Sequence, residues 1–506
     1  MPNILSPINI FKRETKFRLL FVATEAAPFV KVGGLGEIMK SLPKALRELG
    51  HDSRVMIPKY ATIDTQKFPL QSEVQGIKSL TNDSDPYDLL ISNVLRYEEN
   101  GQTIAYFLEN MEYYEKRANV YGYADDTARW VLLSKGVLEF IKVSKWKPDI
   151  IIAADWQTGF IPNLLRTDYK NDPILSKIKV IFSIHNLQYQ GLFDHNFVPE
   201  MDYDSGRSLI PGFFDSNILK LNGMRRGIMY ADLINTVSPT YAKEVLNEEL
   251  GEKLNDLLGE RSSSLFGILN GIDIESFNPQ TDPNVVKNYS CKNLGNRSEN
   301  KIALQKRFNL PLDKNKFVVG IISRMDGQKG FDLIVEISDA LMQNVDFQFI
   351  ILGTGNNYYR EFFQDLQKKY PDRVAGHFFF DEHLPKMILS GADAILVPSR
   401  FEPCGLVQME AMRYGAIPIV RKTGGLADSV ENYVPGENKG TGFVFDNYDR
   451  YALLIAIIRA SETFRDKKEW SKLIKRAMAK DFSWKKSAEE YINLFSRVLY
   501  SSKKTE

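Results

Sequence analysis

The sequence predicts an α/β protein built from two doubly wound, Rossmann-like domains that face each other across a deep cleft. Three observations carry this expectation. The chain has 506 residues, more than a single hydrophobic core organises, so two or more domains are expected. Short apolar runs alternate along it with longer amphipathic segments. That is the βαβ pattern of a parallel sheet covered on both faces. The runs fall into two series, separated by polar, irregular sequence over residues 278–316 that includes "NPQTDPNVVKNYSCKNLGNRSENK".

The first series is "FRLLFVAT" (17–24), "DIIIAAD" (149–155), "KVIFSIHN" (179–186), "ADLINTVS" (231–238) and "FGILNGI" (266–272). The second is "KFVVGIIS" (316–323), "FQFIILGTG" (347–355), "AILVPS" (394–399) and "IPIVRK" (417–422). The tail "DFSWKKSAEEYINLFSRVL" (481–499) opens at an N-cap candidate, Ser483, and repeats apolar residues at helical spacing. It predicts a closing helix that packs back on the first domain. The resulting division is an extension over 1–16, an N-terminal domain over 17–277, a C-terminal domain over 278–482 and a closing helix with tail over 483–506. One short pattern recurs: "KVGGLGE" (31–37) and "KTGGLAD" (422–428) each follow a strand and precede a helical pattern.

Composition excludes several classes. Hydrophobic residues make up 43% and charged residues 25%, the balance of a globular protein. A formal net charge of +1 gives no global field for nucleic acid or an anionic membrane surface. No apolar run reaches transmembrane length. "MPNILSPINIFKRETK" lacks an h-region followed by a small-residue cleavage site, which speaks against secretion. The two cysteines, Cys291 and Cys404, lie far apart and make neither a disulfide framework nor a metal-ligand cluster. A reducing cytoplasm is the expected compartment.

Ligands of open α/β sheets bind beyond the carboxyl ends of the strands, so the informative residues are those at strand exits. After the first run, Gly33 and Gly34 permit close backbone approach and Lys31 adds a point charge. These suit a phosphate, or simply a tight turn with a solvated lysine. At later exits stand Asp155 and Trp156, then His185, then Asn270; each also has an ordinary local role as a cap, a satisfied strand end or a turn. In the second series, Arg324 and Lys329 share one exit, and two cations on one loop can clamp a pyrophosphate. "GTG" at Gly353 offers another close backbone approach.

"VPSRFEPCGLVQMEAM" (397–412) places Glu402, Cys404, Gly405 and Leu406 between a strand and a helical pattern, with Pro403 expected in the first helical turn. Free N–H groups at a helix start favour an anion. An unpaired Glu402 aimed at that anion would repel it. The conflict disappears if the carboxylate meets neutral hydroxyls beside the anion, and a sugar joined to a diphosphate supplies both. No carboxylate pair at local spacing, G-x-S-x-G elbow or HExxH site suggests a hydrolase.

The ordered set "KVGGLGE", "ADWQTG", "HNLQYQG", "SRMDGQKG", "SRFEPCGL" and "TGGLADSV" resembles the bacterial glycogen synthase and plant starch synthase family from Arg18 to Trp484. The resemblance implies the GT-B fold and a cleft in which glucose passes from ADP-glucose to the non-reducing end of an α-1,4-glucan. It also implies retention at the anomeric carbon and no metal. By the same resemblance Arg324 and Lys329 are the donor-phosphate clamp, and Lys31, Gly33 and Gly34 close on the donor from the other domain. Cys404, Gly405, Leu406, Gly353 and Asn270 belong to the donor site. Glu402 would bind sugar hydroxyls, His185 lie beside the anomeric carbon and Asp155 be a cleft aspartate. Tyr121 and Trp156 fall on the acceptor side.

There are departures from the family pattern. Ala154 stands for a usual His, Val32 for a usual Thr, Phe380 for a base-stacking Tyr, Val407 for a usual Thr and Arg225 for a usual Lys. Two other readings accompany the first: a retaining glycosyltransferase with another nucleotide sugar or a small acceptor, and an inactive glucan-binding paralogue.

Overall fold

The structure is a computed structural model that describes residues 16–81, 89–191 and 202–500. The expected N-terminal extension, apart from Lys16, and the last six residues of the expected tail lie outside the described residues.

The N-terminal sheet is built, among the described residues, from β1 (Arg18–Val22), β2 (Asp52–Pro58), β3 (Gln71–Leu80), β4 (Leu89–Glu99), β5 (Gln102–Glu109), β6 (Ile150–Ala154), β7 (Lys179–Ile184), β8 (Leu233–Thr236) and β9 (Leu265–Gly267). Their order is β3-β4-β5-β2-β1-β6-β7-β8-β9. All neighbours are parallel except where β4 meets β3 and β5. The central strands are the continuous apolar runs. "IIIAA" of β6 is buried throughout because helices cover both faces of the sheet. Replacing Ile151 there by Ala would cost about 2–5 kcal/mol.

The second sheet, also among the described residues, contains β10 (Phe317–Ile322), β11 (Phe347–Leu352), β12 (Val374–His377), β13 (Ala394–Val397), β14 (Ile417–Arg421) and β15 (Phe443–Phe445). It is wholly parallel in the order β12-β11-β10-β13-β14-β15.

Two hydrophobic cores form. One gathers residues from Phe17 to Ile272 with Trp484, Tyr491 and Phe495; the other gathers residues from Val285 to Ala477. The closing helix Trp484–Tyr500 therefore returns to the first core. Its Tyr491 hydroxyl accepts from Asn235 at 2.9 Å, and its Ser487 donates to the Leu269 carbonyl at 2.7 Å.

The domains also meet at the base of the cleft. Ser238 Oγ donates to the Pro403 carbonyl at 2.7 Å. Thr240 donates its N–H and hydroxyl to Asp428 at 2.8 and 2.7 Å. Glu244 accepts from the Thr423 hydroxyl at 3.0 Å and the Gly424 N–H at 3.1 Å. The repeat of the K-x-G-G-L pattern at Lys422 thus serves the domain contact.

Each sheet has one switch in strand order. In the first, the chain moves outward from β1 through β2 and then restarts at β6 on the other side of β1. In the second it moves from β10 through β12 and restarts at β13 beside β10. A crevice opens where successive connections leave in opposite directions, at the carboxyl ends of the strands. The two crevices face each other.

Two local expectations are corrected. The run 266–272 is a strand only over Leu265–Gly267; beyond it the chain turns and delivers Asn270 to the cleft. The helix after Glu402 begins at Val407, so Pro403 lies in the preceding loop and not in a first helical turn. Gly405 in that loop has φ +68°, a left-handed conformation open to glycine and costly for most residues.

Candidate active site

The facing crevices enclose a cavity of about 660 Å³, a usual size for a small-molecule site. Arg324 and Lys329 enter it from the β10 exit, and Glu402, Cys404, Gly405 and Leu406 from the β13 exit. Asp155 and Trp156 come from the β6 exit, His185 from the β7 exit, and Asn270, Gly34 and Tyr121 from other segments of the N-terminal domain. Lys31, Gly33, Gly353 and Phe380 do not line this cavity.

Glu402 is not the unpaired carboxylate expected from sequence. Its Oε2 accepts from Lys329 Nζ at 2.6 Å and from Ser399 Oγ at 3.0 Å. The side chains are 10% exposed for Glu402 and 19% for Lys329. Pairing removes the repulsion that a bare carboxylate would exert on a nearby anion. Lys329 carries three N–H donors, so the pair still leaves donors for a phosphate. Arg324 is mostly exposed, with a 3.5 Å contact to Asp326. The N–H groups of Gly405 and Leu406 have no backbone acceptor among the described residues. Cys404 is buried, which pushes its thiol up to about 12, so it is not a thiolate nucleophile at neutral pH.

On the opposite wall Asp155 has φ +57°, a strained geometry for a non-glycine residue. Its Oδ1 accepts from the His185 backbone N–H at 2.7 Å. Burial raises the Asp155 carboxyl above its ordinary value, opposed by His185 and by backbone N–H groups. Burial lowers the His185 imidazole, opposed by Asp155 and Glu25. His185 Nε2 lies 3.2 Å from Ser183 Oγ, whereas its Nδ1 is buried without a protein partner, as is Oδ1 of Asn270. Buried polar atoms are normally paired, so three orphans around one cavity, these two and Oε1 of Gln157, point to a polar ligand.

Sequence reasoning missed the residue that organises the glycine loop. Glu25, 3% exposed, accepts from Val32 N–H at 2.5 Å and Gly33 N–H at 2.9 Å. It also accepts from the Tyr121 hydroxyl at 3.1 Å. The loop N–H groups expected to meet a phosphate are therefore held by an internal carboxylate. Burial and Glu25 together raise the Tyr121 phenol, which is thus a neutral donor. The loop bearing Tyr121 is fixed in turn by the buried Arg129–Asp126 pair, 2.5 Å apart, and by Asp126 accepting from Gly122 N–H at 2.8 Å. The only advance signal was a glutamate at the exit of β1.

The remaining expected residues sit outside the cavity for identifiable reasons. Lys31 pairs with Glu37 at 3.2 Å on the surface. A side chain on Gly353 would lie 2.0 Å from the Ser323 carbonyl, so this glycine serves close packing of the β10 and β11 exits. Phe380 is 83% exposed on the loop after β12. Among the described residues no three His, Cys, Asp or Glu side chains converge to hold a metal ion. No helix among them is long and apolar enough to cross a membrane.

Two family models match the chain: the starch synthase catalytic domain over residues 18–260 and glycosyl transferases group 1 over residues 303–478. A glycogen synthase of Clostridium botulinum is 42% identical over 487 residues, covering 96% of this chain and all of that protein. A glycogen synthase of Thermotoga petrophila is 40% identical, covering 95% and 99%. Among solved structures, the catalytic domain of starch synthase IV from Arabidopsis thaliana bound to ADP and acarbose superposes with a TM-score of 0.80. It is 32% identical, with 96% of this chain and all of that one covered.

Proposed function

We propose, from the premise that this chain belongs to the glycogen and starch synthase family of glycosyltransferases, that it moves glucose from ADP-glucose to the non-reducing end of an α-1,4-glucan with retention. Glucan synthesis is the activity of the named relatives at 40–42% identity, and the starch synthase neighbour was solved with ADP and acarbose. One observation within the molecule carries the reading furthest. The cations and free N–H groups of one crevice face the orphaned polar atoms of the other, among them His185 Nδ1, Asn270 Oδ1 and Gln157 Oε1. A sugar diphosphate presents this combination of anion and neutral hydroxyls.

In this reading the bond between the anomeric carbon and the phosphate oxygen breaks with its electron pair on the diphosphate. Arg324, the spare donors of Lys329 and the Gly405–Leu406 N–H groups stabilise that charge. Positive charge grows on the sugar, where Glu402 and the cleft dipoles favour it. The acceptor 4-hydroxyl attacks from the same face and gives its proton to the departing phosphate oxygen. A low imidazole pKa keeps His185 neutral, so it can orient hydroxyls without repelling a cationic sugar. Closure of the two domains excludes water that would hydrolyse the donor. No step uses a metal.

The test is incubation with ADP-glucose or UDP-glucose and maltooligosaccharides, following nucleotide release and chain length. Chain extension with ADP-glucose preferred is expected. Strict dependence on UDP-glucose would overturn the donor assignment, and no extension with either would overturn the activity.

A further inference from the structure

The closing helix reaches the cleft histidine through a file of buried polar groups that takes no part in the steps above. Ser183 of β7 stands beside Asn235 of β8 in the sheet register. Its hydroxyl lies 3.2 Å from His185 Nε2. Tyr491, on the helix Trp484–Tyr500, meets both strands. Its phenolic oxygen accepts from Asn235 Nδ2 at 2.9 Å, and the phenol also hydrogen-bonds Ser183. Ser183, Asn235 and Tyr491 are all buried, and none lines the cavity, whereas His185 does. The file therefore meets the histidine ring from behind.

Hydrogen-bond accounting gives the file a direction. A neutral imidazole has one N–H, so Nε2 either donates to Ser183 or accepts from it. The phenolic oxygen already accepts from the Asn235 amide. Oδ1 of that amide has no partner among the described residues, so the phenol proton does not return to it. It goes to Ser183 Oγ, and Ser183 gives its own proton to His185 Nε2. Each link then has one donor and one acceptor. Which ring nitrogen carries the proton is set by the bond that the other makes. The ring N–H is thus left at Nδ1, the nitrogen without a protein partner. Asp155 and Glu25 are the charged groups that face this ring, and burial keeps it neutral against them.

We infer that Tyr491 and Ser183 are positioning residues that hold His185 as its Nδ1–H tautomer, so that a donor and not a lone pair points into the cleft. The consequence for the reaction rests on the glucan synthase reading. A lone pair at Nδ1 would be a nucleophile facing a sugar on which positive charge grows. A proton there removes that competitor and offers a hydrogen bond to a sugar oxygen. Docking of the last helix is in this way coupled to the chemistry of the cleft.

The test compares wild type with Tyr491→Phe, Ser183→Ala and Ser183→Thr, each free of ligand and labelled with 13C at histidine Cδ2. The shift of that carbon distinguishes the two neutral tautomers. The chain has five histidines, and His185→Gln identifies the signal. At about pH 8, above the range in which an ordinary imidazole titrates, wild type should show the Nδ1–H form. Tyr491→Phe and Ser183→Ala break the file and should shift the signal toward Nε2–H, while Ser183→Thr keeps the hydroxyl and the wild-type signal. In initial rates with ADP-glucose and maltoheptaose, the two breaking variants should lower kcat about five- to tenfold, with the KM for maltoheptaose within about twofold of wild type. Combining Tyr491→Phe with Ser183→Ala should cost no more turnover than either alone, since one broken link opens the whole file.

An Nε2–H signal in wild type would overturn the inference. So would a Tyr491→Phe variant whose thermal midpoint and turnover fall while the tautomer stays put, the mark of a phenol that only packs. A shifted tautomer with wild-type turnover would overturn the part given to the tautomer in the reaction. Wild type that shows Nδ1–H, loses it in Tyr491→Phe and extends no glucan would overturn the synthase reading and leave the file standing.

Discussion

Removing Glu402 should damage stability and turnover by separate amounts, because the residue has two sets of partners. Without ligand it is bound to Lys329 at 2.6 Å and Ser399 at 3.0 Å. Glu402→Ala leaves the ammonium group facing an empty space. Breaking a fully buried pair in this way costs about 3–5 kcal/mol. Here the side chains are 10% and 19% exposed and border a cleft, so water recovers part of the loss, leaving about 1–2 kcal/mol. For a domain of this size that is a fall of about 2–8 °C in thermal midpoint.

Turnover should fall roughly 100-fold, about 2.7 kcal/mol, if the carboxylate stabilises the charged sugar only in the transition state. Glu402→Gln keeps an acceptor for Lys329 and Ser399 but not the charge. Its midpoint should stay near wild type while turnover drops toward that of the alanine variant. The assay is initial rate and thermal midpoint for both variants, with Lys329→Met and the double variant completing a cycle. A coupling energy of about 1–2 kcal/mol is expected in stability. Additive losses would mean that the pair is a surface contact of no consequence. Full turnover in Glu402→Ala would remove the residue from the chemistry.

Glu25→Gln should lower turnover about 10–100-fold, because charge-assisted hydrogen bonds to the glycine loop are lost, about 1.5–3 kcal/mol together; wild-type rates would show that the loop holds itself. Glu410, on the helix Val407–Arg413, faces Lys31, Glu37 and Lys386, and burial pushes its carboxyl up to about 7. Since the unfolded carboxyl ionises near 4.5 while the native one stays protonated, this residue destabilises the fold increasingly from about pH 5 to 7 and fully above that. Glu410→Gln should therefore stabilise by about 1–2 kcal/mol at pH 8 and by little at pH 4.5; equal midpoint shifts at both values would contradict the shifted carboxyl. Phe380→Ala should weaken ADP binding about 3–10-fold in calorimetry if the exposed ring stacks on the base, a contact of about 1 kcal/mol, and unchanged affinity would place the base elsewhere.

The parts of the fold legible in the sequence are those with one physical cause. β1, β6, β7, β10, β11 and β13 are buried on both faces, so they read as continuous apolar runs. β3 and β4 are half-exposed and mix polar with apolar residues without a continuous buried run, so the antiparallel edge was not anticipated. β12 and β15 are only four and three residues long. The cleft was legible because strand exits lie together at the switch points whatever the loops contain. The glycine loop's partner was not, since Glu25 lies seven and eight residues from the N–H groups it holds, and nothing local marks that closure. The pairing of Glu402 with Lys329 spans 73 residues; sequence supplied both charges but not their contact. Gln157 stood inside a recognised motif, yet an unpaired amide is a property of its surroundings, visible only when the neighbours are placed.

Incubating the protein with radiolabelled ADP-glucose and maltoheptaose, then digesting the product with β-amylase, reports donor, linkage and chain end in one experiment. β-Amylase removes maltose from the non-reducing end of α-1,4 chains, so label transferred as described here should be released wholly as maltose. Label that resists digestion, or that appears only as free glucose before digestion, would contradict transfer with retention to the end of an α-1,4-glucan.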